Sequence, residues 1–439
     1  MTRTGFCAKV ARIDGRRRSR HPMSSLTFAF AGRRARARFE LGLDICVFLF
    51  LPVLVLASRG AAPLAAVAGL CAFGLAAPNG AVAWRRVSGL AVLLAALVLW
   101  GLLSSLWAIE PRRSLLIALR LAGMFGAGLA LIAAASEIMA PERLLLCFSA
   151  GLAIAVALAV AQFWSNGALT AALSRRAFIE PVLNQAEDGF AFLLLPLCAT
   201  LVLRRQRFLA GLLAVATVAV ICLLVGDAAR IAFVIGILAA VLLYFWRAPL
   251  TRWAAMASVL LILTAPQVFP ALAGIAVVRD EVASIKFSAW HRLEIWSFVG
   301  GRIAEKPLLG WGLDASRAIP GGTELTPEGR PWLPLHPHNA PLQLWLELGV
   351  PGAALFALFA ARLWSAVGAV GWPRLYAAAA GGSLVTALIV ALGSYGIWQE
   401  WLISAEFLTL FLILVMARLA AQPLPISPYP RRAPARSRR

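Results

Sequence analysis

Apolar residues dominate this chain in runs of about twenty, long enough for a helix to cross a bilayer core. The runs fall at approximately 41–58, 61–77, 87–107, 114–136, 143–164, 188–203, 208–226, 230–246, 253–275, 341–363, 374–393 and 400–421. They predict twelve transmembrane helices, several joined by only a few residues and therefore paired as antiparallel hairpins. No stretch alternates apolar and polar residues as a barrel strand does. One polar interval interrupts the pattern at length, residues 276–340, between the ninth and tenth spans. A second, shorter one joins the fifth and sixth, and its residues 168–179 predict a short amphipathic surface helix.

Composition agrees with this picture. Hydrophobic residues make up 61% of the 439 and charged ones 14%, with mean hydropathy +0.82. A soluble domain carries about 25% charged residues. The net charge of +21 is concentrated at the ends. Eleven Lys/Arg lie in residues 1–40, and Arg431, Arg432, Arg436, Arg438 and Arg439 in the C-terminal segment. Beside membrane spans such runs mark the cytoplasmic side rather than a nucleic-acid surface. With both termini inside, Arg85 and Arg86, Arg204, Arg205 and Arg207, Arg247 and Arg252, and Arg362 and Arg374 all fall in inner loops. The long interval then lies outside, with seven basic and seven acidic residues. The expected organisation is a basic cytoplasmic tail (1–40), nine spans (41–275), an outer loop (276–340), three spans (341–421) and a second basic tail (422–439). The six cysteines show neither a disulfide framework nor metal-ligand spacing. The first apolar run starts too late for a signal peptide. Residues 1–22 carry no apolar pattern, so Met23 is a second candidate start.

Candidate chemistry gathers in the outer loop, which holds His291, His336 and His338 of the chain's four histidines. Leu293, Trp296, Val299 and Ile303 recur at helical spacing, ended by Glu305-Lys306-Pro307. Arg292 lies one turn from Trp296; spacing alone makes it equally an anion contact or a solvated charge. Gly310 and Gly312, in Pro-Leu-Leu-Gly-Trp-Gly, admit either a close approach to a ligand or an ordinary turn. In His336-Pro337-His338-Asn339 an imidazole can take a proton from a sugar hydroxyl near neutral pH, and Asn339 can orient it or cap the next helix. A polar turn before a span is the plain alternative, and a zinc site lacks companion cysteines. Arg120, Asp227, Arg230, Glu347 and Glu406 fall near the outer ends of spans. They read as a shared polar cavity, where arginines suit a diphosphate, or as neutral pairs such as Arg120 with Glu406.

These segments resemble the O-antigen ligase and polymerase superfamily of bacterial inner-membrane glycan transferases. The likeness covers most of 115–415. It rests on Arg-Leu-Glu-Ile-Trp with Pro-Leu-Leu-Gly-Trp-Gly (292–312), on the segment 336–352 that opens His-Pro-His-Asn, and on the arginine opening the eighth span. A weaker match covers 176–197. The resemblance implies an all-α membrane fold related to membrane-embedded glycosyltransferases. It implies transfer, without a metal or other cofactor, of a glycan from an undecaprenyl-diphosphate carrier to an acceptor such as lipid A core. It implies His338 and Arg230 as catalytic residues and Arg176, Arg292 and, adjacent, Arg175 as donor contacts. Ala229 stands where the family often has serine, and the glycine usual near the outer-loop arginine is absent.

The expected function is therefore a ligase-like glycan transferase of the inner membrane. His338 and Arg230 would act in catalysis, and Arg176, Arg175, Arg292, His336, Asn339 and Arg120 would bind substrate. The partners would be a lipid-linked glycan, its acceptor and membrane lipid, and no nucleic acid. A polymerase of the same superfamily is the nearest alternative, and a transporter or flippase the more distant one.

Overall fold

The computed structural model describes residues 22–174, 183–368 and 371–423. Among these, apart from one isolated bridge between Leu325 and Pro331, the regular structure is helical. The chain runs through α1 (Pro22–Ala57), α2 (Ala61–Ala76), α3 (Gly80–Ser104), α4 (Pro111–Ala134) and α5 (Pro141–Trp164). It continues through α6 (Ala168–Ser174), α7 (Asn184–Leu203), α8 (Arg207–Leu223), α9 (Asp227–Leu263) and α10 (Ala265–Gly274). It ends with α11 (Ala276–Ile285), α12 (Phe287–Glu305), α13 (Ala340–Gly368), α14 (Arg374–Gly393) and α15 (Glu400–Ala421).

Among the described residues, eight stretches are long and apolar enough to cross a membrane: 32–104, which joins α1 to α3, and the helices α4, α5, α7, α9, α13, α14 and α15. The protein is an all-α, multi-pass membrane protein. Large apolar side chains such as Leu70, Val92, Val215 and Trp253 are exposed on the helix surfaces, as a lipid-facing exterior requires. Prolines set several boundaries. Pro111 and Pro141 open α4 and α5, where the missing N–H costs nothing. Three boundaries differ from the sequence reading. Helix α1 reaches back to Pro22, well into the segment read as a tail. The interval read as one span, 253–275, is shared between α9 and α10, because Pro266 cannot donate into a continuing helix. Helix α9 itself breaks at Trp246. Of the expected surface helix at 168–179, α6 forms the first part; residues 175–182 lie outside the described residues.

Polar contacts segregate to two ends of the bundle. At one end Arg36 and Arg86 meet Glu137, Arg143 meets Glu40 and Asp44, and Arg204 meets Glu142. At the other, the α3–α4 turn, the segment 306–339, the segment 394–399 and the start of α9 come together. This second end has a small core of its own: Ile295, Val299 and Ile303 of α12 pack with Phe269, Trp311, Ile319, Leu333 and Leu342. Of the helical stripe expected at Leu293, Trp296, Val299 and Ile303, Trp296 is half-buried and the other three are buried.

Candidate active site

The segment 306–314 wraps the first part of α13. Helix α13 is two helices joined at Gly349, which takes φ 61°. The carbonyls left free at this break are met from outside the helix: Trp311 N–H donates to Leu346 O (2.9 Å), Gly312 N–H to Glu347 O (2.8 Å) and Trp100 Nε1 to Leu348 O (2.8 Å). Gly310 and Gly312 have positive φ, and a Cβ on either would strike the backbone of Glu347 or Ala108. These glycines thus serve backbone-to-backbone packing, not approach to a ligand.

Glu347 is the centre of that wrap. It is fully buried and accepts from Asp314 N–H (2.6 Å), Gln343 Nε2 (3.0 Å), Trp398 Nε1 (2.5 Å) and the Ser316 hydroxyl. Four donors on three segments leave no capacity for a ligand, so the place expected for it in a shared cavity is taken by a structural role. Gln343 in turn accepts from Ile397 N–H at 3.0 Å. The segment 394–399 is thereby fixed against α13.

The histidine turn lies on this frame. Asn339 caps α13, accepting from Leu342 N–H (3.0 Å) and donating to Leu392 O (3.1 Å). Trp296 of α12 donates to Pro337 O at 3.0 Å. His338 takes φ 53°, unusual for a side-chain-bearing residue. Its Nδ1 is 2.6 Å from Ser394 O. A carbonyl only accepts, so Nδ1 carries the proton and Nε2 keeps its lone pair. His336 lies 4.2 Å away between ring centroids, with its Nε2 3.2 Å from Gln399 Nε2 and its Nδ1 accepting from His338 N–H at 3.2 Å. A Cβ on Gly396 would come within 2.9 Å of the His336 ring. Burial lowers both histidines, His336 to about 3 with His338, Arg317 and Arg292 adding to the effect. His338 falls to about 4, burial being opposed by the Ser394 carbonyl and assisted by Arg292. Both are neutral at pH 7.

Arg292 is half-buried, and burial lowers the pKa of its guanidinium. Its charge acts on His338, His336 and Tyr395, yet it has no hydrogen bond or ion pair among the described residues. Tyr395 is half-buried beside Asp188, to which it donates; desolvation and the carboxylate raise its pKa well above 10. Glu187, on the first turn of α7, and Asp188, which follows it, are buried, each with one oxygen unpartnered among the described residues. The other Glu187 oxygen accepts from Gly226 N–H (3.0 Å), just before Arg230 on α9.

Of the predicted site residues, His336, His338, Asn339 and Arg292 therefore meet. Arg230 adjoins them through Glu187, Asp188 and Tyr395. Arg175 and Arg176 lie outside the described residues. Arg120 is elsewhere: it pairs with Glu400 at 3.2 Å, in a pocket between α2, α4 and α15. The expected Arg120–Glu406 pair does not form, because Glu406 lies on the other face of α15 and lines an apolar groove. Sequence reading missed Glu187, Asp188, Tyr395 and Arg317. The adjacent acids in an apolar span were a legible signal; nothing in the pattern marked Tyr395 or Arg317.

The groove is partly open and is walled by α13, α14 and α15 with parts of α3, α4 and α7. Ala340, Tyr395 and Ile397 line one end, beside the histidines; Trp372 and Leu414 line the other. A polar site at one end of a membrane bundle, with an apolar groove ending at the neighbouring Ala340 and Tyr395, defines the class as a multi-pass membrane protein with a polar site beside an apolar groove. The comparisons show what part of the chain is similar to. Residues 212–357, which include Arg230, Arg292, His336, His338 and Asn339, match the family O-Antigen ligase. A protein of Rickettsia bellii named "Putative polysaccharide ligase" is 33% identical over 164 residues, 36% of this chain and 40% of that protein. One of Rickettsia conorii with the same description is 34% identical over 145 residues, 32% of this chain and 35% of that one. The chain thus spans 40% or less of these curated relatives. No solved structure matches. The resemblance to the O-antigen ligase superfamily is supported over this segment.

Proposed function

We propose that this protein transfers a glycan from an undecaprenyl-diphosphate carrier to an acceptor hydroxyl, in the manner of an O-antigen ligase. The single observation that carries the reading is the setting of His338. Among the described residues its Nε2 lone pair and the nearby Arg292 guanidinium have no hydrogen-bond partner, and the apolar groove ends at the neighbouring Ala340 and Tyr395. The polyprenyl chain would lie in the groove. Arg292 and Arg230, with Arg176 and Arg175, would hold the diphosphate in place of a metal ion. The acceptor oxygen forms a bond to the anomeric carbon as the bond from that carbon to the phosphate oxygen breaks. The electron pair goes to the phosphate, where guanidinium groups stabilise it, and the acceptor proton goes to His338 Nε2. A base held near 4 is weak in the free protein. A bound diphosphate offsets the Arg292 charge and adds its own, so His338 becomes more basic once the donor is seated.

On this reading the bundle crosses the inner membrane twelve times, with both basic ends cytoplasmic. The outer loop, residues 276–340, is periplasmic on the same reading. The names of the relatives favour a ligase over a polymerase. The test is a deletion strain complemented with wild type or His338→Ala. A ligase predicts long glycans retained on the carrier and a bare lipid A core in the mutant. Single repeat units on the carrier would indicate a polymerase, and an unaltered glycan profile would reject the transferase.

A further inference from the structure

The Asp227 carboxylate, at the first residue of α9, bridges two cations. One oxygen takes Arg230 of the same helix, the other takes Lys286. Lys286 stands in the extended break between α11 and α12, with φ −157° and ψ 117°. The side chains are 36% to 47% exposed, so a ligand can reach all three. As a stabilising triad this arrangement is poor: exposed ion pairs contribute about 1 kcal/mol or less. As a recognition site it is apt. A lysine and an arginine on separate elements converge on one anionic group, one cation per oxygen, as they would on a phosphate. An exposed carboxylate holding them is exchangeable.

We infer that Lys286 is a further cation of the donor-diphosphate site and that Asp227 is its built-in competitor. The inference rests on the glycan-transferase reading above. Asp227 keeps Arg230 and Lys286 converged while the site is empty and yields them to the donor diphosphate. The reaction then creates a problem that Asp227 answers. Breaking the bond to the anomeric carbon leaves the electron pair on the phosphate, so the leaving polyprenyl diphosphate carries more negative charge than the donor. An uncompensated cation pair would hold product more tightly than donor. Asp227 returns to the cations and favours release.

The test uses the full chain in detergent with farnesyl diphosphate as probe and farnesol as control, followed by transfer assays in vesicles. Lys286→Gln is expected to weaken farnesyl diphosphate binding by about tenfold, as loss of a charge-assisted contact does. Lys286→Arg restores it. Asp227→Asn is expected to tighten binding by about fivefold, an exposed-pair effect, and to strengthen inhibition by the polyprenyl diphosphate product. The opposite signs separate this from misfolding, which weakens both. Weaker binding in both variants, or no shift in either, overturns the inference. Wild type that binds the probe with these shifts but transfers no glycan upholds the cation pair and rejects the transferase. Wild type that transfers glycan while neither variant shifts binding does the reverse.

Discussion

Two charged groups at the same end of the bundle, Glu347 and Arg292, differ in what surrounds them. Glu347 is enclosed by four donors drawn from α13, the segment 314–316 and Trp398. Arg292 is half-buried with no partner among the described residues, although its field reaches both histidines. A buried polar group is costly unless it is hydrogen-bonded. The saturated carboxylate therefore belongs to the architecture, and the unsaturated guanidinium, on the function proposed above, is the group that meets the donor diphosphate. Position near one face of the membrane does not separate the two. The count of partners does.

The sharpest way to break this comparison is to remove both and read stability and transfer separately. Glu347→Ala leaves four donors without an acceptor, each a loss of about 1–3 kcal/mol before relaxation. It should abolish the folded protein, seen as loss of the monodisperse peak and of the thermal transition in detergent. A variant of normal stability would contradict the architectural role. His338→Gln should leave folding intact and reduce transfer by about 10²–10⁴-fold, the range of a general base. Arg292→Ala should leave the thermal transition unchanged or raised, since it removes a buried charge without a partner. Its transfer kcat/KM should fall about a hundredfold, the scale of one lost transition-state donor. If Arg292→Ala unfolds the protein and Glu347→Ala does not, the comparison is inverted.

Much of the fold was legible in the sequence because bilayer length is a strong constraint. Runs of apolar residues at helical length left little else for the chain to form. The histidine turn was legible for a different reason: two imidazoles around a proline, at the return to a span, are rare chemistry in an apolar chain. The partners of the charged residues were not legible. Glu347, Arg120 and Glu406 all read as outer-end charges. Their different fates depend on helix rotation and on contacts between segments far apart in the chain, such as Ser316 with Glu347. Tyr395 and Ser394 were invisible for the same reason, since a backbone carbonyl that orients an imidazole leaves no residue-type signature. Gly310 and Gly312 show the converse. The pattern marked them as special, and the backbone of Glu347 and Ala108, not a ligand, is what they accommodate.

The smallest expected effect tests the electrostatic link between Arg292 and His338. In the free protein His338 stays unprotonated down to about pH 4, against an ordinary value of 6.5. The acid limb of kcat/KM for transfer should therefore fall well below pH 6.5. The sign for stability follows from the same depression. Unfolded histidines take up protons as pH drops through 6.5, while folded His336 and His338 resist until about 3 and about 4. Their contribution is therefore full above about pH 6.5 and is lost progressively as pH falls toward 4. Arg292 is one of the groups holding His338 down, behind burial itself. Replacing it with glutamine should move the acid limb of the residual activity upward. In wild type, donor binding should act in the same direction, because a diphosphate neutralises that guanidinium. The limb of kcat should then lie at higher pH than that of kcat/KM. Coincident limbs, unmoved by Arg292→Gln, would show that burial alone sets the histidine and that Arg292 acts only on the donor.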